Sequence, residues 1–471
     1  MRPLLITLAF GYAALVRALD RADPELRWDW STIDLDDLYF PPNFLWGVAS
    51  SAHQVEGGCN NNQWSRFEEE PGRIRGGERA GAACEHWQRY PEDIALITAL
   101  GARAYRFSVE WSKIEPRPGE WDEAAIEHYR ALCAALRAAG IAPVVTLHHF
   151  THPQWFEEMG GFADAEPRRR EENIARFVGF ASRIFLELNP LVAMWCTINE
   201  PEVVAMEGYL RGTFPPGERD PQRAAEALAG LLQAHAAVYQ ALKRLPGGAK
   251  AKIGLVKNIF HFDPQRRWHV GDWAAARAAH RFFNGAALEA LQSGRLKMRI
   301  PGLGVAVDRV IEGLVGSLDF IGLNYYSQIH LRLDLRAPER AVPCARPEDV
   351  PTDMPYAIYA EGLYRALHQI SALGAPIYVT ENGIADKADD RRALFIRRYL
   401  YALSRAVRDG LDVRGYFYWS LLDNFEWAEG FSMRFGLYEV DFTTQERRLR
   451  AGARPFIEAI RRSSGEGERA R

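Results

Sequence analysis

A chain of 471 residues with 48% apolar and 12% aromatic content has ample material for a full globular core, which excludes disorder and a small disulfide-stapled scaffold. Its 58 lysines and arginines against 61 aspartates and glutamates leave a net charge of −3, with no field for gathering phosphate backbones, and this argues against nucleic acid as a partner. The five cysteines, Cys59, Cys84, Cys133, Cys196 and Cys344, are scattered and form no C-x-x-C pair, so they read as buried or free thiols rather than a disulfide framework or a zinc knuckle.

At the amino terminus, Met1-Arg2 precedes an apolar run from Leu4 to Val16, after which a charged stretch begins at Arg17. The run is short of the ~20 residues a bilayer-spanning helix needs. It matches the apolar core of a secretory signal, with Val16-Arg17-Ala18 resembling a small-residue cleavage site. The competing readings are a short helix packed on the domain and one lying at a membrane surface. Export or membrane association thus rests on residues 1–18 alone, and without a working signal the protein is expected in the cytoplasm. Residues 19–40, rich in Asp and Glu, read as an acidic spacer closed by Pro41-Pro42. Residues 41–465 read as one continuous domain, and 466–471 as a polar tail.

Within that domain, short runs rich in Val, Ile, Tyr and Phe alternate with long stretches whose apolar residues fall three and four apart. Strands are predicted over 45–50, 104–111, 143–150, 194–200, 253–260, 320–326, 377–381 and 415–421. Ile126, Tyr129, Leu132, Cys133 and Leu136 mark a helix opened by Asp122 as N-cap and closed by Gly140. Ile174, Phe177, Val178, Ala181, Ile184, Phe185 and Leu188 mark another. Strand then helix, eight times over with no boundary, predicts an α/β fold consisting of a single (β/α)8 TIM barrel, because each crossover helix must cover the outer face of the strands it joins.

Chemistry in such barrels collects where the strands end. Those ends carry Gln54, Arg106, His148 and His149, Asn199 and Glu200, Asn324, Tyr325 and Tyr326, Glu381 and Asn382, and Trp419, with Glu426 and Trp427 in the last loop. The fifth end, near Asn258, is uninformative. Glu200 and Glu381 stand out because each terminates an apolar strand, where an ionised group is costly unless something pairs or uses it. A carboxylate couple among aromatic walls suits glycoside hydrolysis, one group attacking the anomeric carbon while the other shuttles a proton. The competing reading has both glutamates merely paired with Arg106 and other basic groups.

The motifs narrow this choice. In order they are Phe44-Leu45-Trp46-Gly47 with Ser51-Ala52-His53-Gln54-Val55-Glu56-Gly57, Tyr105-Arg106-Phe107-Ser108, Thr197-Ile198-Asn199-Glu200-Pro201, Gly322-Leu323-Asn324-Tyr325-Tyr326, Val379-Thr380-Glu381-Asn382-Gly383, and the run from Trp419 to Trp427. From Phe44 to about Ile460 the chain resembles the glycoside hydrolase family 1 β-glycosidases, most closely the β-glucosidases. The resemblance implies a retaining double displacement with Glu381 as nucleophile and Glu200 as acid/base. It assigns Arg106, Tyr326 and Asn324 to support of the nucleophile, and Gln54, His149, Asn199, Trp419, Glu426 and Trp427 to the sugar. Retention demands carboxyl groups about 5–5.5 Å apart. It also requires Glu200 to begin protonated, which the charge of Glu381 favours.

The resemblance further implies that Glu426 disfavours phosphorylated sugars, since a carboxylate there repels a phosphate. An intact Glu200 sets the chain apart from thioglucosidases. Phe150-Thr151-His152-Pro153 and Glu202 depart from the family where an aglycone is expected, which leaves the leaving group open. His148, His149 and His152 do not make a metal site, because neighbouring strand residues face opposite ways. Gly302-Leu303-Gly304 reads as a surface turn rather than a dinucleotide loop. No cofactor is implied. The expected partner is a small β-glycoside or oligosaccharide, and the oligomeric state is not encoded. Two alternatives stand beside hydrolysis: transglycosylation through the same intermediate, and a non-catalytic sugar-binding barrel.

Overall fold

The computed structural model describes residues 2–300, 304–337 and 340–463. Its centre is a sheet of eight parallel strands: β1 (Leu45–Ala49), β2 (Ala104–Ser108), β3 (Ala142–His148), β4 (Met194–Asn199), β5 (Ile253–Pro264), β6 (Phe320–Leu333), β7 (Ile377–Asn382) and β8 (Val413–Trp419). Neighbours pair in chain order, β8 returns to β1 through Gly47↔Phe417 and Ala49↔Trp419, and the ring has no open edge. This is the (β/α)8 barrel that the alternating pattern predicts. Burial on both faces explains why β2, β4 and β7 are buried at every position and carry no polar-out alternation.

The outer layer follows the same logic. The helix marked by Ile126 and Leu136 runs from Glu123 to Ala138, and the Asp122 carboxylate accepts from the amides of Ala124 and Ala125. Gly140 follows at φ 73, a left-handed turn that a side chain would strain. The second predicted helix, Pro167–Leu188, buries Ile174, Phe177, Ala181, Ile184, Phe185 and Leu188 against the strands. Pro221–Arg244 packs an alanine-rich face in the same layer.

Two segments within the domain depart from the sequence reading. β5 and β6 run past the barrel as a ribbon paired from Gly254↔Phe320 to Pro264↔Leu331, with a register shift between Ile259 and His261, where strands ending at 260 and 326 were predicted. An antiparallel hairpin, Arg295–Ile300 with Val305–Val310, sits in the crossover between them. The glycine turn at 302–304 lies outside the described residues except for Gly304. The amino-terminal run lies in a helix spanning Arg2–Ala22, longer than the apolar run itself. That helix is tied to the body by Tyr12, which donates to the Trp268 carbonyl at 2.9 Å, and by Arg267, which donates to Asp20 at 2.5 Å. Among the described residues no helix is long and apolar enough to cross a membrane. The segment after it is packed: the Trp28 amide and the Trp30 indole both donate to Glu361, at 2.9 and 3.0 Å, and Trp28 meets Tyr364 and Tyr401 edge to face. The tail 466–471 lies outside the described residues.

Candidate active site

Both carboxylates sit where the sheet becomes irregular. Pairing shifts register between Cys196 and Asn199 on β4, and between Val379 and Glu381 on β7. Such irregularities at strand ends re-aim side chains. Glu200 itself adopts φ 46, an uncommon conformation for a residue with a side chain. Its carboxyl consequently turns inward beside β5 and β6 and is 5% exposed, against 3% for Glu381.

The two carboxyls have different surroundings. Arg106, buried on β2, donates from Nη1 to Glu381 Oε1 at 2.5 Å, and the Tyr326 hydroxyl donates to Oε2 at 2.7 Å. Each oxygen of Glu381 thus has a donor, one of them cationic, an arrangement suited to an anion. Among the described residues Glu200 receives only neutral amides, from Asn324 at 2.7 Å and Asn258 at 2.8 Å, both on Oε1. Burial, reinforced by the negative charge of Glu381, pushes Glu200 well above the usual carboxylate range. One carboxyl has a donor on each oxygen, and the other is set up to hold a proton.

Asn199 links them. Its Oδ1 accepts from Arg106 Nη2 at 2.6 Å and from Asn324 Nδ2 at 3.2 Å, while its Nδ2 lies 3.3 Å from His149 Nε2. Burial and the Arg106 cation hold His149 well below the usual imidazole range, so its ring is neutral. That ring stacks on both Trp419 (5.8 Å, 19°) and Trp427 (6.1 Å, 18°). Gln54 donates to Glu426 at 3.2 Å and is itself oriented by the Ser51 hydroxyl at 2.6 Å. Burial and the charge of Glu381 push Glu426 up to about 8.

The strand-end residues Gln54, Arg106, His149, Asn199, Glu200, Asn324, Tyr326, Glu381, Trp419, Glu426 and Trp427 therefore form one connected cluster. Asn324 differs from its expected place: its amide donates to Glu200 rather than to Glu381. The reason is Thr380, whose hydroxyl donates to Asn324 Oδ1 at 2.7 Å and so turns the amide nitrogen toward Glu200. Glu202 also differs. It is wholly buried in an ion pair with Lys257 at 3.0 Å and does not face an aglycone. Asn258, at the strand end that looked uninformative, touches Glu200 directly. His148 faces away from the site, edge-on to Phe162 and Phe177, as strand alternation requires.

Two other features stand apart from the carboxylates. His53, Cys59 and Glu110 have ligand atoms within 4.8 Å of one another, but both His53 nitrogens are engaged, with Glu68 at 2.7 Å and Asn62 at 3.0 Å. A surface hollow of about 1200 Å3, lined by Glu56, Trp87, Lys113 and His128, has its tryptophan covered by stacked His128 and by the Lys113 ammonium 3.9 Å from the ring.

Comparison with known proteins places this geometry in a family. The model for glycosyl hydrolase family 1 matches residues 37–465. A 1,4-beta-D-glucan glucohydrolase of Thermotoga neapolitana is 34% identical over 433 residues, covering 87% of this chain and 99% of its own. Among solved structures, a beta-glycosidase from Pyrococcus horikoshii is 40% identical with a TM-score of 0.80, over 90% of this chain and 96% of that one. A beta-glucosidase from Thermotoga maritima, bound to galacto-hydroximolactam, is 31% identical with a TM-score of 0.82, over 90% and 99% of the two chains. A match that spans the whole barrel, joined to two unlike carboxyls at the ends of β4 and β7, leaves one conclusion: the chain belongs to glycosyl hydrolase family 1 and is a retaining β-glycosidase.

Proposed function

We propose that the protein removes terminal, non-reducing β-D-glucosyl residues, with Glu381 as nucleophile and Glu200 as acid/base. The observation that carries the assignment is the unequal dressing of the two carboxyls: paired donors on Glu381, burial and a neighbouring charge on Glu200. In the first step a Glu381 oxygen bonds to the anomeric carbon as the bond to the aglycone oxygen breaks, and that oxygen takes the proton of Glu200. Esterification removes the charge of Glu381, so the proton affinity of Glu200 falls. In the second step water gives a proton to Glu200 and attacks the anomeric carbon, and Glu381 leaves as carboxylate.

Asn199, whose side chain accepts from Arg106 and Asn324, meets the 2-hydroxyl in this reading, where contacts strengthen in the transition state. Gln54, His149, Glu426 and Trp427 hold the remaining hydroxyls, and Trp419 supplies an apolar floor. The glucose assignment is supported by the glucan glucohydrolase and β-glucosidase relatives.

The test is a pair of substitutions assayed on aryl β-glucosides. Glu381→Ala and Glu200→Ala should each lower turnover by several orders of magnitude on an unactivated substrate. Azide should rescue the first as an α-glycosyl azide and the second as a β-glycosyl azide. Wild-type rates in both variants would overturn the assignment.

A further inference from the structure

Two residues beyond Glu200, where the chain has just left β4, Glu202 is buried completely and faces Lys257 on β5, equally buried, at 3.0 Å. Burying an ion pair is costly, and it is more often tolerated than stabilising. The pair is also incompletely satisfied. Lys257 donates to the carbonyls of Asn258 and Phe283, whereas Glu202 Oε2 has no partner among the described residues. The one carboxylate oxygen in use, Oε1, accepts from the Asn258 backbone amide at 2.6 Å. Both members of the pair therefore grip Asn258, Glu202 at its amide and Lys257 at its carbonyl. The Asn258 side chain then donates to Glu200 at 2.8 Å, while its own Oδ1 has no partner among the described residues.

We propose that the Glu202–Lys257 ion pair is a positioning device for the acid/base: it clamps the Asn258 backbone so that its side chain reaches Glu200, and its balanced charges set how tightly Glu200 holds its proton. The proposal rests on Glu200 being the acid/base of the preceding section. The groups that face Glu200 are Glu381 from β7, Tyr326 from β6, Tyr356 from the following loop, and Glu202 and Lys257. Of these only the last two offset one another, so removing either leaves an uncompensated charge beside Glu200. Glu202→Gln leaves the Lys257 cation, which favours ionised Glu200 and lowers its proton affinity. Lys257→Met leaves the Glu202 anion and raises it.

The alkaline limb of the kcat/KM profile reads this directly, because it marks loss of the acid's proton in the free enzyme. On an aryl β-glucoside with a poor leaving group, the limb should move to lower pH in Glu202→Gln and to higher pH in Lys257→Met, each by about 0.5 unit or more, and return toward wild type in the double variant. Asn258→Ala leaves the pair intact and keeps the test decisive if a single charge variant fails to fold. It should slow the poor leaving group at least tenfold more than a dinitrophenyl glucoside, which needs no proton. Folded variants with an unmoved limb, limbs moved the same way, or an Asn258→Ala that slows both substrates equally would overturn the proposal. A wild-type enzyme with no alkaline limb on the poor leaving group would instead refute the acid/base reading beneath it.

Discussion

Replacing Glu426 by Gln isolates a group whose protonation the site controls. Burial and the charge of Glu381 lift its carboxyl from 4.5 to about 8. Below pH 4.5 the carboxyl is protonated in both folded and unfolded chains, so the shift has no effect. As pH rises the unfolded chain ionises first while the folded one keeps its proton, and stability falls until about pH 8 is passed. A rise of roughly 3.5 units at 1.36 kcal/mol each is about 5 kcal/mol. That is an upper bound, because the side chain is partly open to the site and water there tempers the penalty. Glutamine keeps the shape and does not titrate, so the variant should escape the loss. At about 2.1 cal/mol/K per residue, a chain of this length shifts its melting midpoint by roughly 1 °C per kcal/mol. Melting curves at one scan rate should therefore show the gap between Glu426→Gln and wild type widening in the variant's favour, by up to about 5 °C, from pH 5 to pH 8.5. The widening should shrink in a Glu381→Gln background, which removes the neighbouring charge. A gap that stays constant across this range would refute the reasoning.

Three further outcomes follow from the contacts. Tyr326→Phe removes one of two donors to a buried carboxylate, a bond worth about 1.5–3 kcal/mol, and should lower kcat by about 10- to 150-fold with little change in the melting midpoint. Arg106→Met leaves Glu381 without its cation and should cost far more, in stability as well as rate, since an unpaired buried charge costs about 3–5 kcal/mol; activity assays and melting curves together read both. Asn199→Ala should slow a β-glucoside much more than its 2-deoxy analogue, a ratio that steady-state kinetics measures directly.

How far the sequence revealed this arrangement depends on whether the deciding interaction was local. All eight barrel strands were legible because each is an apolar, β-rich run bounded by helical periodicity. The ribbon formed by the ends of β5 and β6 was not, since residues such as His261, Asp263 and Gln328 break the apolar run and the extension exists through mutual pairing. Glu200, Glu381 and the motif neighbours that gather around them could be picked out from local runs such as Asn199-Glu200-Pro201. Asn258 could not: an asparagine after an apolar run signals nothing until Glu202 and Lys257 are known to grip it. Asn324 was placed near the correct cluster but on the wrong carboxyl, because the Thr380 hydroxyl that turns its amide comes from a strand 56 residues away. Trp28 and Trp30 were the unused clue that residues 19–40 are packed on the body.

The central claim is that Glu381 forms a covalent bond to the sugar while Glu200 handles protons. Incubation with a 2-deoxy-2-fluoro-β-glucoside bearing an activated leaving group slows turnover of the ester and lets the labelled peptide be identified by mass spectrometry. One glucosyl unit per chain on Glu381, formed also in Glu200→Ala, is the predicted result. A label on another residue, or an inactivated enzyme with no ester at all, would contradict the account.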